Sequence, residues 1–271
     1  MNVCYTAASM IVLKAVVLGI VEGVTEFLPI SSTGHLIVAS ALIDYPEAHR
    51  ATFEIFIQLG AILAVVWHYR EHLLDLLRRA PADTSARLLI AKVLLAFVPA
   101  AAAGFLFHHA IEEHLFSPLV VAATLIVGGI LILIIERRVW RPSVDGIEAT
   151  GWRESAWVGV AQVLSLIPGV SRAGSTIIGG MLAGMSRPTA TQFSFYLSIP
   201  TLSAASLYSL FKARHDLGGA DLVPLGVGFV VSFVSALVVI RAFIGFVQRN
   251  TLSGFGYYRI LFGLIVAAIL R

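Results

Sequence analysis

Two carboxylates, a run of hydroxyls and an imidazole lie close together in a stretch whose neighbours on both sides are apolar. The stretch runs from Glu22 to His35, between the hydrophobic segments 11–21 and 36–43. Polar and charged side chains are costly inside a bilayer, so they normally face a cavity and mark function. Glu22 and Glu26 are four residues apart, which places both on one face of a helix. This spacing predicts paired carboxylates that can act as bases or bind a cation.

A proline interrupts this helix, and the residues after it can begin another. Pro29 ends the first helix, and a helix that starts after it would present free backbone N–H groups, which attract anions. Ser31 can cap this helix while Ser32 acts as a nucleophile. His35 lies one turn further on, where it can exchange a proton or contact a phosphate. The break therefore predicts an anion site formed by Ser31, Ser32, Thr33, Gly34 and His35.

A second broken segment follows at a constant offset of 140 residues. The offset pairs Gly19 with Gly159, Glu22 with Gln162, Ser31 with Ser171, Ser32 with Arg172, Gly34 with Gly174, and Phe53 with Phe193. Interrupted helices at matching places in two repeats point to a binding site near the bilayer midplane. The second break would contribute Ser171 and Arg172, whose planar guanidinium suits phosphate oxygens.

Together the two motifs resemble those of a known family. Glu22-x-x-x-Glu26 with Pro-Ile-Ser-Ser-Thr-Gly-His, followed by Pro168-Gly-Val-Ser-Arg-Ala-Gly-Ser-Thr176, is similar to the bacterial undecaprenyl-pyrophosphate phosphatases of the BacA/UppP type. The similarity covers nearly the whole chain in length, motif order and repeat. One departure is Ala173, where the family usually has serine. It removes one hydroxyl contact and leaves Arg172 in place.

The resemblance implies a membrane lipid pyrophosphatase that converts undecaprenyl pyrophosphate to undecaprenyl phosphate and inorganic phosphate, recycling the carrier lipid for peptidoglycan synthesis. The residues alone indicate only a phosphorylated amphiphile in an intramembrane cavity. We expect Ser32 to attack the terminal phosphorus, with Glu26 or His35 taking its proton. A divalent cation, Mg²⁺ or Ca²⁺, is expected on Glu22 and Glu26. The expected catalytic residues are Ser32, Glu26, His35, Glu22 and Arg172, and the expected phosphate-binding residues are Ser31, Thr33, Gly34, Ser171, Arg172 and Thr176.

The composition predicts an all-α polytopic membrane protein. The chain is 58% hydrophobic and 13% charged, with a mean hydropathy of +0.89, which excludes the soluble globular class. Its net charge of +3 is small, so nucleic acid is not an expected partner. Cys4 is the only cysteine, so no disulfide framework exists. We treat residues 1–271 as one membrane domain of two repeats, 11–137 and 151–271.

Each repeat is predicted to contain a re-entrant broken hairpin and three transmembrane helices. The hairpins are 11–28 with 33–43, and 155–167 with 173–185. An arm of eleven residues is too short to cross a bilayer. The predicted spans are 52–69, 88–107, 117–135, 189–211, 222–247 and 255–270. Because three spans are an odd number, the second repeat is inverted.

The basic residues predict the orientation. One side carries Lys14, Arg50, Lys212, Arg214 and Arg271. The other carries Arg70, Arg78, Arg79, Arg87, Lys92, Arg137, Arg138, Arg141, Arg153, Arg187, Arg249 and Arg259. The richer side is cytoplasmic by the positive-inside rule. Both termini and the mouth of the first hairpin then face the periplasmic side of the inner membrane.

Several alternatives stay open at this point. Water can attack the phosphorus directly, with Ser32 as a ligand only. A transporter or flippase of a phosphorylated lipid also suits inverted repeats with broken helices. A type-2 phosphatidic-acid phosphatase is rejected, because its motif needs a histidine soon after the Ser-Arg pair and residues 173–214 contain none. The sequence leaves open a homodimer.

Overall fold

Helices joined by short loops make up the computed structural model, which describes residues 2–115, 117–138, 142–213 and 222–269. The all-α class is therefore confirmed for these residues. The helices are α1 (Asn2–Thr25), α2 (Ser32–Leu42), α3 (Glu47–His68), α4 (Arg70–Arg79), α5 (Thr84–Leu115), α6 (Pro118–Glu136), α7 (Trp152–Val163), α8 (Arg172–Leu182), α9 (Arg187–Ala213), α10 (Leu222–Val247) and α11 (Ser253–Ile269). Short 3-10 turns occupy Ile147–Ala149 and Leu164–Leu166.

Four helical segments of the described chain are long and apolar enough to cross a membrane, as a polytopic protein requires. They are Arg50–His68, Thr84–Phe107, Pro118–Glu136 and Leu222–Val247. Two of the six predicted spans fall short by length and composition. Helix α9 has 27 residues, but serines and threonines lower its hydropathy. Helix α11 has 17 described residues.

Three local features differ from the sequence prediction. Helix α1 has 24 residues, about 36 Å at 1.5 Å per residue, and it begins before the predicted start at residue 11. Helix α5 continues to Leu115, so most of the connection between the predicted spans 88–107 and 117–135 is helical. Helix α4 was not predicted, because ten residues with charges at both ends are too short and too polar to read as a span.

The position of Arg259 differs from the one that the sequence predicts. It was counted among the basic residues of the cytoplasmic side, yet it lies within α11 and is only 1% exposed. The count ignored that a guanidinium can be fully satisfied inside the protein. Of the other counted residues, Arg141, Arg214 and Arg271 lie outside the described part of the chain.

Close helix packing surrounds the two broken segments. Helix α1 packs on α10, α7 packs on α5, and α6 packs on α11. A Cβ atom at Gly19 in α1 would lie 2.7 Å from the carbonyl oxygen of Gly228 in α10, so only glycine allows this approach. The largest buried apolar cluster contains Phe27, Phe193 and Phe195. These contacts place the ends of α1 and α7 in the interior of the molecule.

One buried ion pair connects α6, α9 and the segment before α11. The carboxylate of Glu136 is 0% exposed and pairs with the guanidinium of Arg187. The same carboxylate accepts a hydrogen bond of 2.9 Å from the backbone N–H of Leu252. A buried carboxylate needs such partners to offset the cost of leaving water.

Candidate active site

The two breaks have closely similar backbones. Ser31 and Ser171 both have φ of 71°, a left-handed value that is uncommon outside glycine. The Oγ atom of each serine accepts a hydrogen bond from the backbone N–H three residues later, 3.4 Å from Gly34 and 3.0 Å from Gly174. Both serines are therefore the N-caps of 11-residue helices. Strained residues of this kind are often found at functional sites.

Glu26 joins the two breaks. Its Oε2 atom accepts a hydrogen bond from Ser32 Oγ at 2.6 Å, and its Oε1 atom accepts one from Arg172 Nη2 at 2.9 Å. The side chains of Glu26 and Arg172 are 6% and 8% exposed. The structure thus brings the predicted nucleophile, a carboxylate from the first break and a cation from the second into one cluster.

Part of the hydrogen-bonding capacity of the Arg172 guanidinium is unused among the described residues. Its Nη1 atom lies 3.3 Å from the carbonyl oxygen and 3.4 Å from the Oγ of Ser194. Its Nε atom is buried and has no hydrogen-bond partner among the described residues. The guanidinium carbon of Arg172 also lies 5.5 Å from the centroid of the Phe27 ring. A buried N–H without a partner costs about 1–3 kcal/mol, so an anionic oxygen at this place would be stabilising.

Glu22 lies one turn before Glu26 and is only 2% exposed. The described residues contain no group of three or more histidine, cysteine, aspartate or glutamate side chains arranged for a metal. Mg²⁺ is commonly bound by one or two carboxylates together with substrate phosphates. The two glutamates therefore suit a cation shared with a phosphate ligand better than one enclosed by protein.

His35 does not contact Ser32 in this arrangement. Its Nδ1 atom lies 2.7 Å from the carbonyl oxygen of Ser31, and its Nε2 atom lies 2.6 Å from the hydroxyl of Tyr258. The imidazole also stacks on the ring of Phe262, with centroids 4.1 Å apart. The hydroxyl of Ser32 instead donates to Glu26, so Glu26 is the better placed proton acceptor.

The remaining predicted residues differ in their placement. Thr176 is fully buried behind Arg172, where its Oγ1 donates to the carbonyl of Arg172 at 2.8 Å and lies 2.7 Å from Ser194 Oγ. It supports the helix that carries Arg172 rather than facing Ser32. Thr33 is exposed. Ala173 is fully buried among apolar side chains.

Arg259 contacts both breaks, a role that the sequence does not predict. Among the described residues, its guanidinium makes five hydrogen bonds, and all five go to backbone carbonyl oxygens of α6 and of the two breaks. The acceptors are Leu125 (3.4 Å from Nε), Pro29 and Val170 (3.2 and 3.0 Å from Nη1), and Thr124 and Gly169 (3.1 and 3.0 Å from Nη2). An arginine inside the apolar segment 255–270 was the available signal, since such residues usually have a buried role.

Sequence comparison places this geometry in a known family. The model of the family described as bacitracin resistance protein BacA matches residues 15–265, which include both breaks and Arg259. The chain belongs to the BacA family. Undecaprenyl-diphosphatase 2 of Rhodospirillum rubrum is 51% identical over 257 residues, 94% of each chain. The undecaprenyl-diphosphatase of Aromatoleum aromaticum is 47% identical over 254 residues, 94% of this chain and 93% of the relative. Undecaprenyl-diphosphatase 1 of Pseudomonas fluorescens is 45% identical over 256 residues, with the same coverage.

The bonds of Arg259 generate a stability prediction. Lysine has three donors where arginine has five, so Arg259→Lys leaves carbonyls at the breaks without partners. We expect the variant to lose about 1–3 kcal/mol for each carbonyl left buried and unpaired. Thermal unfolding in detergent should show a clearly lower midpoint. Arg241→Lys, at an exposed position of α10, is the matched control. Equal midpoints for the two variants would show that these five bonds do not stabilise the breaks.

Proposed function

We propose that this chain hydrolyses undecaprenyl diphosphate to undecaprenyl phosphate and inorganic phosphate, recycling the carrier lipid for peptidoglycan synthesis. The observation that carries the proposal is the contact of Ser32 with Glu26 and of Glu26 with Arg172. A hydroxyl nucleophile, a base and a planar cation are the groups that phosphoryl transfer needs. Membership of the BacA family and relatives named undecaprenyl-diphosphatase support the same conclusion. None of these comparisons supports a transporter.

The reaction begins with Ser32. Its Oγ attacks the terminal phosphorus of the diphosphate while its proton passes to Glu26, which already accepts its hydrogen bond at 2.6 Å. The new Oγ–P bond replaces the bond between that phosphorus and the bridging oxygen, and undecaprenyl phosphate leaves. Glu26 passes the serine proton to the departing phosphate and becomes a base again. Water then attacks the phosphorus of the phosphoserine and gives a proton to Glu26, which transfers it to Ser32 Oγ as the Oγ–P bond breaks and inorganic phosphate departs. Ser32 and Glu26 return to their starting states.

Arg172 stabilises the charge that develops on the phosphorus oxygens. Its buried Nε–H has no partner in the described protein, and its Nη2 is shared with Glu26. Both donors lie on one planar group, which suits two oxygens of one phosphate. Backbone N–H groups at the N-termini of α2 and α8, where Gly34 and the N-cap Ser171 lie, add positive potential. Interactions of this kind act most strongly in the transition state.

A divalent cation is part of the proposal. Glu22 and Glu26 would bind Mg²⁺ or Ca²⁺ together with oxygens of the substrate. Such an ion would neutralise charge on the diphosphate when bound.

We also propose that the chain is built from inverted repeats. The support comes from the offset of 140 residues, which relates Ser31 to Ser171 and the start of α3 at Glu47 to the start of α9 at Arg187. The packing of α1 on α10 likewise corresponds to that of α7 on α5. In this arrangement the hairpins enter the membrane from opposite faces. A homodimer stays a prediction, since every proposed site residue comes from one chain.

The proposed orientation places the first hairpin toward the periplasm, with both termini on that side. A cavity of about 420 Å³ supports a mouth on this side. Its lining includes Arg50 near the start of α3 and Ser117 and Pro118 at the start of α6. Glu54 also lines it. The cavity therefore lies beside the starts of α3 and α6, on the side that the proposed orientation assigns to the periplasm.

The function is tested by phosphate release from undecaprenyl diphosphate by the purified protein in detergent. Ser32→Ala should lose about 1,000-fold or more in turnover, because it removes the nucleophile. Ser40→Ala is the matched control on the same helix, since the buried Ser40 hydroxyl has no partner among the described residues. A loss below about tenfold for Ser32→Ala would favour direct attack by water. Wild-type protein that releases no phosphate would refute the function.

The cation is tested by chelation. Activity should fall on treatment with EDTA and return with Mg²⁺ or Ca²⁺. Glu22→Gln keeps the size of the side chain and removes its charge, so the cation concentration for half-maximal activity should rise at least about tenfold. Glu71→Gln alters an exposed carboxylate of α4 and serves as the control. Full activity in EDTA would exclude the cation and leave Glu22 with an electrostatic role only.

Orientation is tested by thiol labelling in a Cys4→Ser background. Pro46 and Pro81 are both exposed, before α3 and before α5. In spheroplasts an impermeant thiol reagent should label Pro46→Cys at once and Pro81→Cys only after lysis, because the two loops lie on opposite sides. The reverse pattern would place the first hairpin on the cytoplasmic side.

A further inference from the structure

Both nitrogens of the His35 imidazole have hydrogen-bond partners. Nδ1 lies 2.7 Å from the backbone oxygen of Ser31, and Nε2 lies 2.6 Å from the hydroxyl of Tyr258. The ring is also stacked, at 4.1 Å from the ring of Phe262 and 5.6 Å from that of Tyr258. These contacts leave the ring little freedom to turn toward Ser32.

The two hydrogen bonds determine which nitrogen carries the proton. A carbonyl oxygen can only accept, so Nδ1 must donate to Ser31. In the neutral imidazole Nε2 then has a lone pair, and the hydroxyl of Tyr258 donates to it. The opposite tautomer would place the Nδ1 lone pair against the Ser31 oxygen, which is repulsive. Tyr258 therefore favours the only neutral tautomer that binds the Ser31 carbonyl.

That carbonyl belongs to the strained residue of the first break. Ser31 has φ of 71°, and it immediately precedes Ser32. Its oxygen also receives the backbone N–H of His35, at 3.4 Å. The neighbour of Tyr258 on α11, Arg259, donates to the oxygen of Pro29 at 3.2 Å. Two successive residues of α11 thus stabilise the same break on either side of Ile30.

We propose that Tyr258 is a positioning residue of the phosphatase reaction. By holding His35 in the Nδ1–H tautomer, it makes the imidazole a brace for the Ser31 carbonyl and so fixes the position of the Ser32 hydroxyl. His35 is then a positioning residue as well, and Glu26 alone takes the proton of Ser32. The kinetic part of this inference rests on the proposed function. The tautomer is a property of the protein whether or not it is active.

Amide substitutions of His35 distinguish a positioning role of the imidazole from an acid or base role. An asparagine amide can occupy the place of Nδ1, and a glutamine amide the place of Nε2, while neither can act as a base. We expect His35→Asn to lose less than about tenfold in turnover, and His35→Gln to lose about 100-fold, because misplacing a reacting group by about 1 Å costs this much. Equal and large losses in both variants would favour an acid or base role and overturn the proposal.

Tyr258→Phe removes the hydroxyl and keeps the stacking. It should lower turnover about 10- to 100-fold with little change in the Michaelis constant. Tyr257→Phe, at a more exposed position of the same helix, is the control. In a His35→Asn background, Tyr258→Phe should have no further effect, because Tyr258 acts only through His35. Additive losses in this double-mutant cycle would contradict the proposal.

The tautomer can be read directly from ¹⁵N chemical shifts of protein labelled at histidine. Wild-type protein should show a His35 resonance pair for protonated Nδ1 and unprotonated Nε2, assigned by its loss in His35→Asn. Tyr258→Phe should convert most of the population to the other tautomer, because a 10- to 100-fold loss of turnover requires that about nine-tenths or more of the molecules leave the Nδ1–H form. This readout does not depend on turnover, so it stays informative even if the chain fails to hydrolyse undecaprenyl diphosphate. An unchanged spectrum in Tyr258→Phe would refute the role of Tyr258.

Discussion

The guanidinium of Arg259 stabilises both helix breaks at the centre of the molecule through five hydrogen bonds. A broken helix leaves backbone carbonyls without partners, and the hydrocarbon region of a bilayer offers no water to satisfy them. Arg259 supplies donors to Pro29 in one break and to Gly169 and Val170 in the other. Its remaining donors bind Thr124 and Leu125 of α6. Arg259 therefore fixes both breaks to α11, and hence to each other.

The proposed chemistry depends on this arrangement. Because the breaks are fixed, Ser31 and Ser171 can each keep a left-handed backbone and begin a helix. The residue after each serine then lies at the junction of the two halves. The residue after Ser31 is the hydroxyl Ser32, the one after Ser171 is the cation Arg172, and Glu26 bonds to both. The same backbone motif, used twice, thus provides two different chemical groups for one site.

Much of this site could be predicted from the sequence. The offset of 140 residues related Ser32 to Arg172, and the structure brings both side chains to Glu26. The composition predicted a helical membrane protein, because so apolar a chain cannot be soluble. Spacing could not show the direction of a side chain. His35 is one turn from Ser31 and Ser32, yet its ring turns to Tyr258, more than 200 positions away in the chain. Thr176 lies one turn after Arg172 and points behind it.

The buried environment of Arg259 and the presence of helix α4 could not be predicted from the sequence, for physical reasons. Counting basic residues treats every arginine as a charge that seeks water, so Arg259 was assigned to a surface. Its true partners are backbone carbonyls, which a sequence does not distinguish from one another. Helix α4 was not predicted, because its ten residues are stabilised by packing of Leu76 and by ion pairs such as that of Arg79 with Asp75. Such a helix has neither the length nor the hydropathy that marks a span.

In the proposed function, both breaks form one active site, and Arg172 acts on the phosphate that Ser32 attacks. The most direct measurement is the turnover number and Michaelis constant of Arg172→Lys for undecaprenyl diphosphate, beside Arg153→Lys at an exposed position of α7. Lysine keeps the charge and loses the planar pair of donors, so turnover should fall about 100-fold or more while the Michaelis constant changes little. Wild-type turnover in correctly folded Arg172→Lys and Arg172→Ala would contradict a site shared between the two halves.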